Sequence, residues 1–223
     1  MADATRSRII SAALRILAKE GREGMTTRAV ADAAEVQAPA IYRLFGDKRG
    51  LLDAVVALGV EKYYAAKAAR ASGSDPLDDL RQGWDQHVAF GLANPAIYAL
   101  MIDPQLALPS AFAGLVHLEA LVHRAALAGR LRVGEAQAVA MIHAAGQGCV
   151  LSLLQAPDDE LSAAMREAVI AAITSAAPRA KPSAKSAAIA LRAALPELAM
   201  LTPAERGLLD DWLARVSGAQ IPE

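Results

Sequence analysis

Few residues in this chain are spaced for covalent chemistry. The histidines that could act as acid or base, His87, His117 and His143, have no serine or cysteine nucleophile or paired carboxylates set beside them in a recognisable pattern. There is no GxSxG, no P-loop, and no His-x-x-x-His or Cys-x-x-Cys spacing for a metal. No catalytic residue, metal site or cofactor is therefore expected. The useful arrangement lies near the amino terminus. Val30, Ala34, Val36, Ile41 and Phe45 can pack inward against Ile10, Leu14 and Leu17, which leaves Arg28, Gln37, Ala38, Ala40 and Arg43 outside. A carboxamide and guanidinium groups on a fixed surface can form paired hydrogen bonds with base edges. The chemistry this predicts is recognition without reaction.

Short helices must hold those residues. A first helix is expected over about 5–20, capped by Asp3 or Thr5, with Ile10, Ala13, Leu14 and Leu17 in one apolar stripe. Gly21 follows where a helix end favours a left-handed residue. Thr26 is placed to cap a second helix reaching about 34. Glu35, Val36 and Gln37 form the turn into a third helix over about 38–45, with Pro39 in its first turn. Two short helices joined this tightly make a helix-turn-helix. Asp47 can then cap a long fourth helix, about 48–71.

The rest of the chain reads as longer helices: about 77–92, a short one from Asn94-Pro95 to 101, then 110–128, 135–155 and 158–176. Residues 71–76 read as a loop and 178–186 as a basic Pro- and Ser-containing linker. Two further helices are expected over 187–195 and 203–216, the second capped by Thr202 with Glu205 completing a capping box. The expected division is 1–50, 51–177 and 178–223.

Bulk composition agrees with an all-α fold. Hydrophobic residues make up 54% and aromatics only 4%, the surplus being mainly the helix formers alanine and leucine. Net charge is −1, but residues 1–50 carry nine Lys/Arg against six Asp/Glu, a net +3, which leaves −4 for the remainder. A basic module on a mildly acidic body suits a nucleic-acid partner. The single cysteine, Cys149, excludes an intramolecular disulfide and fits a reducing cytoplasm. No signal peptide or membrane span is expected.

Residues 5–52 resemble the DNA-binding domain of the TetR family. The matching positions include Arg6, Ile10, Ala12-Ala13, Gly21, Thr26, Val30-Ala31, Ala34, Val36, Ile41-Tyr42, Phe45, Lys48 and Leu51-Leu52. The resemblance implies a cytoplasmic transcriptional repressor that binds a palindromic double-stranded operator as a homodimer. It implies phosphate contacts from Thr26, Thr27, Tyr42 and Lys48, and base reading by Gln37, Ala38, Pro39 and Arg43, with Arg28 as a further candidate. Glu35 departs from the glycine common in the family's turn, Gln37 from a common serine, and Leu44 from a common aromatic or histidine.

The resemblance also implies a small-molecule effector, small and apolar, with Trp84, His87 and Tyr98 the candidate contacts. Core packing is the plainer reading of each of these three. The helices over about 135–155 and 158–176 resemble the family's dimerising pair. Ala144, Ala145, Gly146 and Gly148 would permit close approach, and Leu161, Met165, Val169 and Ile173 would face the partner; packing within one chain would use the same stripe. An activator with the same head, an architectural protein, a helical enzyme or a helical interaction module are the competing readings.

Overall fold

The structure is a computed structural model describing residues 2–68, 73, 75–175 and 183–218. Among them it is all-α, with one isolated bridge between Leu131 and Thr174. The helices are α1 (Ala2–Gly24), α2 (Thr27–Ala33), α3 (Ala38–Phe45), α4 (Lys48–Ala68), α5 (Pro76–Ala93), α6 (Pro95–Met101), α7 (Ala113–Leu127), α8 (Glu135–Gln155), α9 (Leu161–Ile173), α10 (Ala184–Ala194) and α11 (Pro203–Ser217). A 3₁₀ turn, Pro109–Phe112, precedes α7.

Contacts divide the chain into two compact units, residues 1–70 with 89–114, and residues 71–88 with 115–223. This grouping cuts the chain elsewhere than positions 50 and 177. In the first unit α1 lies against α2, α4 and α6. Covered on several sides, it buries Ile9 and Ala12 besides Ile10, Ala13 and Leu17, and leaves Leu14 half-buried. The helix is broken at Gly21, whose φ of 69° only glycine adopts readily, and one further turn carries it to Gly24.

The segment 89–112 joins this unit through α4. Phe90 stacks on Tyr63, with ring centroids 4.5 Å apart. Gly59 permits the approach of α6, because a Cβ there would stand 2.6 Å from Ile97 Cδ1. Leu100 and Leu108 are buried beyond it.

In the second unit α8 packs on α9. The buried face of α8 includes Ala138, Ile142, Gly146, Cys149, Val150 and Leu153. Burial pushes the Cys149 thiol above its ordinary range. By length and composition alone α8 is apolar enough to cross a bilayer, with mean hydropathy 1.3 over its best window, a test that the core helix of a soluble protein also passes.

The region 176–182, which includes most of the expected linker, lies outside the described residues, as does half of the 71–76 loop. Helix α10 begins at Ala184 rather than 187, because Ser183 caps it by accepting a hydrogen bond from the Ser186 N–H at 3.1 Å. Arg192 donates to both oxygens of Asp210, at 2.7 and 3.1 Å, and ties α10 to α11. The capping box of Thr202 and Glu205 is present.

Two stability effects follow. Glu35 has φ 53°, a left-handed conformation that costs a residue with a Cβ about 1 kcal/mol. Glu35→Gly is expected to raise the melting temperature by a few degrees in a thermal denaturation; no rise would mean that the side chain stabilises the turn. The second effect concerns Glu167 on α9, whose carboxyl is held below its ordinary range by hydrogen bonds from Arg166 and Arg81. A lowered folded-state value adds stability above the unfolded value near 4.3, which is lost as pH falls through the folded one. Because these side chains are partly exposed, the effect is at most about 1 kcal/mol. Glu167→Gln is expected to lower the melting temperature slightly at pH 7, with the difference closing below about pH 4.

Candidate nucleic-acid interface

The candidate face begins at α2. Thr26 has extended backbone and its hydroxyl accepts the Ala29 N–H at 3.1 Å, so the expected cap is made. The following turn bends back at Glu35, and Val36 N–H donates to Ala31 O at 3.0 Å. Gln37 occupies the N-cap of α3 but makes no side-chain capping bond, as its long carboxamide predicts. Its side chain is exposed and uncommitted to the cap.

Packing then sets which side of α3 looks outward. Ile41 has 0% exposure, while Leu44 and Phe45 are half-buried. The next residue, Tyr42, remains 52% exposed, and Gln37, Pro39 and Arg43 are exposed as well. Asp47 Oδ1 accepts the Gly50 N–H at 2.7 Å and starts α4, whose first residue, Lys48, is exposed. Of the nine candidate positions Thr26, Thr27, Arg28, Gln37, Ala38, Pro39, Tyr42, Arg43 and Lys48, all are exposed except Thr27 and Ala38, which are half-buried.

Charge is distributed unevenly among the basic residues of this unit. Arg22 pairs with Asp103, Arg49 donates to Ala107 O at 2.9 Å, and the Arg6 guanidinium lies 5.3 Å from the centroid of the Phe45 ring. Among the described residues, Arg28, Arg43 and Lys48 have no acidic partner. The face therefore keeps positive charge available for a phosphate backbone.

Sequence reasoning missed the contacts that connect α4 with the segment before α7. Asp53 Oδ1 accepts from both Ser110 N–H, at 3.0 Å, and Ser110 Oγ, at 2.8 Å. The two residues are 57 positions apart, and no local pattern reports such a pair.

Of the three candidate effector contacts, Trp84 and His87 lie together near Gly146 in the second unit, and Tyr98 lies in the first. Trp84, in the second unit, is buried and donates its Nε1–H to Ser162 Oγ at 3.1 Å. His87 is half-buried against Gly146, where a Cβ would lie 3.3 Å from His87 Cδ2. Tyr98 belongs to the first unit and is 1% exposed. Gly146 is thus committed inside its own chain and is not on the open face. Ala140, His143, Ala144, Gly148 and Leu151 form the exposed side of α8. On α9, Ile173 is buried and Leu161, Met165 and Val169 are half-buried, so this stripe turns toward its own unit.

A capped short helix, a left-handed turn and a second short helix with an exposed polar side define a helix-turn-helix protein. Residues 9–55 match the family described as bacterial regulatory proteins, tetR family. Over 50 residues the chain is 48% identical to the tetracycline repressor protein class C of Escherichia coli, covering 22% of this chain and 23% of that one. The match spans about a quarter of that relative's length. Two solved structures share the wider fold. A TetR family transcription regulator from Marinobacter aquaeolei VT8 has TM-score 0.59 and 20% identity, over 77% of this chain and 96% of its own. The multidrug binding protein EbrR, complexed with imidazole, has TM-score 0.60 and 22% identity, over 78% and 97%. Residues 9–55 thus match the tetR family in sequence, and the wider helical layout is similar to these solved structures in fold.

The Asp53–Ser110 pair can be tested by itself. Asp53→Ala is expected to remove about 1 to 2 kcal/mol of local stability. Hydrogen exchange should quicken at the Ser110 amide and along 106–112, while α2 and α3 keep their protection. Unchanged exchange at Ser110 would mean that these bonds do not hold the segment.

Proposed function

We propose that the chain is a transcriptional repressor that binds palindromic double-stranded operator DNA as a homodimer and is released by a small apolar effector. The supporting observation is the outward face of α3, where Gln37, Pro39, Tyr42 and Arg43 are exposed around a completely buried Ile41. In this reading Thr26, Thr27, Tyr42 and Lys48 position the head on phosphates, while Gln37, Ala38, Pro39 and Arg43, with Arg28, meet base edges in the major groove. Positioning and reading then come from different side chains of one rigid unit.

Residues 1–50 serve as the DNA-binding part, 51–177 as the ligand-binding and dimerising part, and 178–223 as an extension. The dimer forms through the helices over about 135–155 and 158–176, where the exposed small residues of α8 allow close packing. Two recognition helices about 34–36 Å apart would read both halves of a palindrome. Trp84, His87 and Tyr98 are the proposed effector contacts, supported only by their type and their place in the helical layout. An effector favouring a dimer with a different head spacing would weaken DNA binding by its differential affinity, typically about 1–3 kcal/mol. The protein acts in the cytoplasm, as a regulator without a cofactor and not as an enzyme.

Selection of operators from a random duplex pool, followed by fluorescence anisotropy at several salt concentrations, tests this reading. A palindromic sequence is expected to emerge. Tyr42→Ala/Lys48→Ala should weaken binding about tenfold or more and reduce the salt slope by about one, as loss of a phosphate-bound lysine requires. Recovery of no preferred sequence, or superimposable curves for both proteins, would overturn the assignment.

A further inference from the structure

We propose that the cleft where the α7–α8 connection meets the start of α10 binds a small organic anion with an aliphatic body, a medium-chain carboxylate or phosphate monoester. The cleft lies wholly within the second unit and has a volume of about 1190 Å³, enough for such a molecule. It is separate from Trp84, His87 and Tyr98, and its existence does not depend on whether the chain binds DNA.

Three elements bring cations to it: α5 with Arg81, the connection with Arg130 and Arg132, and α10 with Lys185. Glu167 is the acid among its lining residues, and it is already engaged by Arg81 and Arg166. Arg132 and Lys185 have no ion-pair partner among the described residues. Arg130 reaches Asp75 only at 3.5 Å, and its buried Nε finds no acceptor among the described residues. A buried N–H of a charged group left unanswered is costly, and an anionic oxygen would answer it.

The first turn of α10 also lines the cleft, through Ser183, Lys185 and Ser186. The Ser183 and Ser186 hydroxyls bond to each other and to the cap, so this turn contributes the Lys185 ammonium and the positive end of the helix dipole. The apolar walls are Leu77, Leu131, Val133 and Ile170, without an aromatic ring among the lining residues. Such walls suit an alkyl chain better than a planar ligand that needs stacking.

The test is calorimetric titration of the full chain at low salt with octanoate, octyl phosphate and, as a control of opposite sign, octylamine. The proteins compared are wild type and Arg132→Glu/Lys185→Glu, both replaced positions being exposed. One or both anions are expected to bind wild type with Kd below about 1 mM, and the variant at least about tenfold more weakly. The relative strength of the two anions distinguishes a carboxylate ligand from a phosphate ligand. No binding of either anion, equally strong binding of octylamine, or undiminished binding by the variant would overturn the proposal. Should the double glutamate variant melt early, Arg132→Gln/Lys185→Gln is read by the same criteria.

Discussion

An eight-residue helix does not persist in water on its own hydrogen bonds, because nucleation costs more than so few turns return. The recognition helix α3 is of that length, so its existence rests on burial. Ile41 supplies the anchor, completely enclosed in the first unit, with Leu44 and Phe45 partly covered at its end. Everything the face can do follows from this. With Ile41 fixed inward, the helix cannot roll, and Gln37, Tyr42 and Arg43 have nowhere to be but outside. Glu35 takes a left-handed backbone in the turn between the two helices, where Val36 N–H returns to Ala31 O.

The same logic extends along α4. Lys48 opens the helix on the exposed face, and Arg49 and Asp53, within the next two turns, hold Ala107 and Ser110. Recognition face and the 94–112 segment therefore share one rigid rod. A shift in that segment must either break these bonds or move the start of α4. Gly59 and the Tyr63–Phe90 stack make the association close along more than half of the helix.

The caps, turns and helix ends were legible because their chemistry is local. Thr26, Asp47 and the Thr202–Glu205 box act on amides two or three residues away, and the sequence displays them side by side. The outward face of α3 was equally readable from helical spacing. Long-range matters were not. Leu14 and Ile9 exchanged importance because α6 covers a second side of α1. The small size of Gly146 suits a contact with another chain, yet it is His87 of the same chain that fills the space against it. The start of α10 was misplaced because Ser183 caps it inside a stretch whose prolines read as linker. The basic cleft was invisible for the same reason: Arg81, Arg130 and Lys185 meet only once the chain has folded.

Cys149 lies inside α8 with its thiol buried and shifted toward the protonated form. Only the thiolate reacts readily with oxidants and alkylating agents. In the folded state Cys149 is therefore a poor target for oxidants and alkylating agents. The same inertness has a practical side: a cysteine introduced on the outer side of α3 would be the one reactive thiol in the molecule. A fluorophore could then be attached at a chosen position without first removing the native residue.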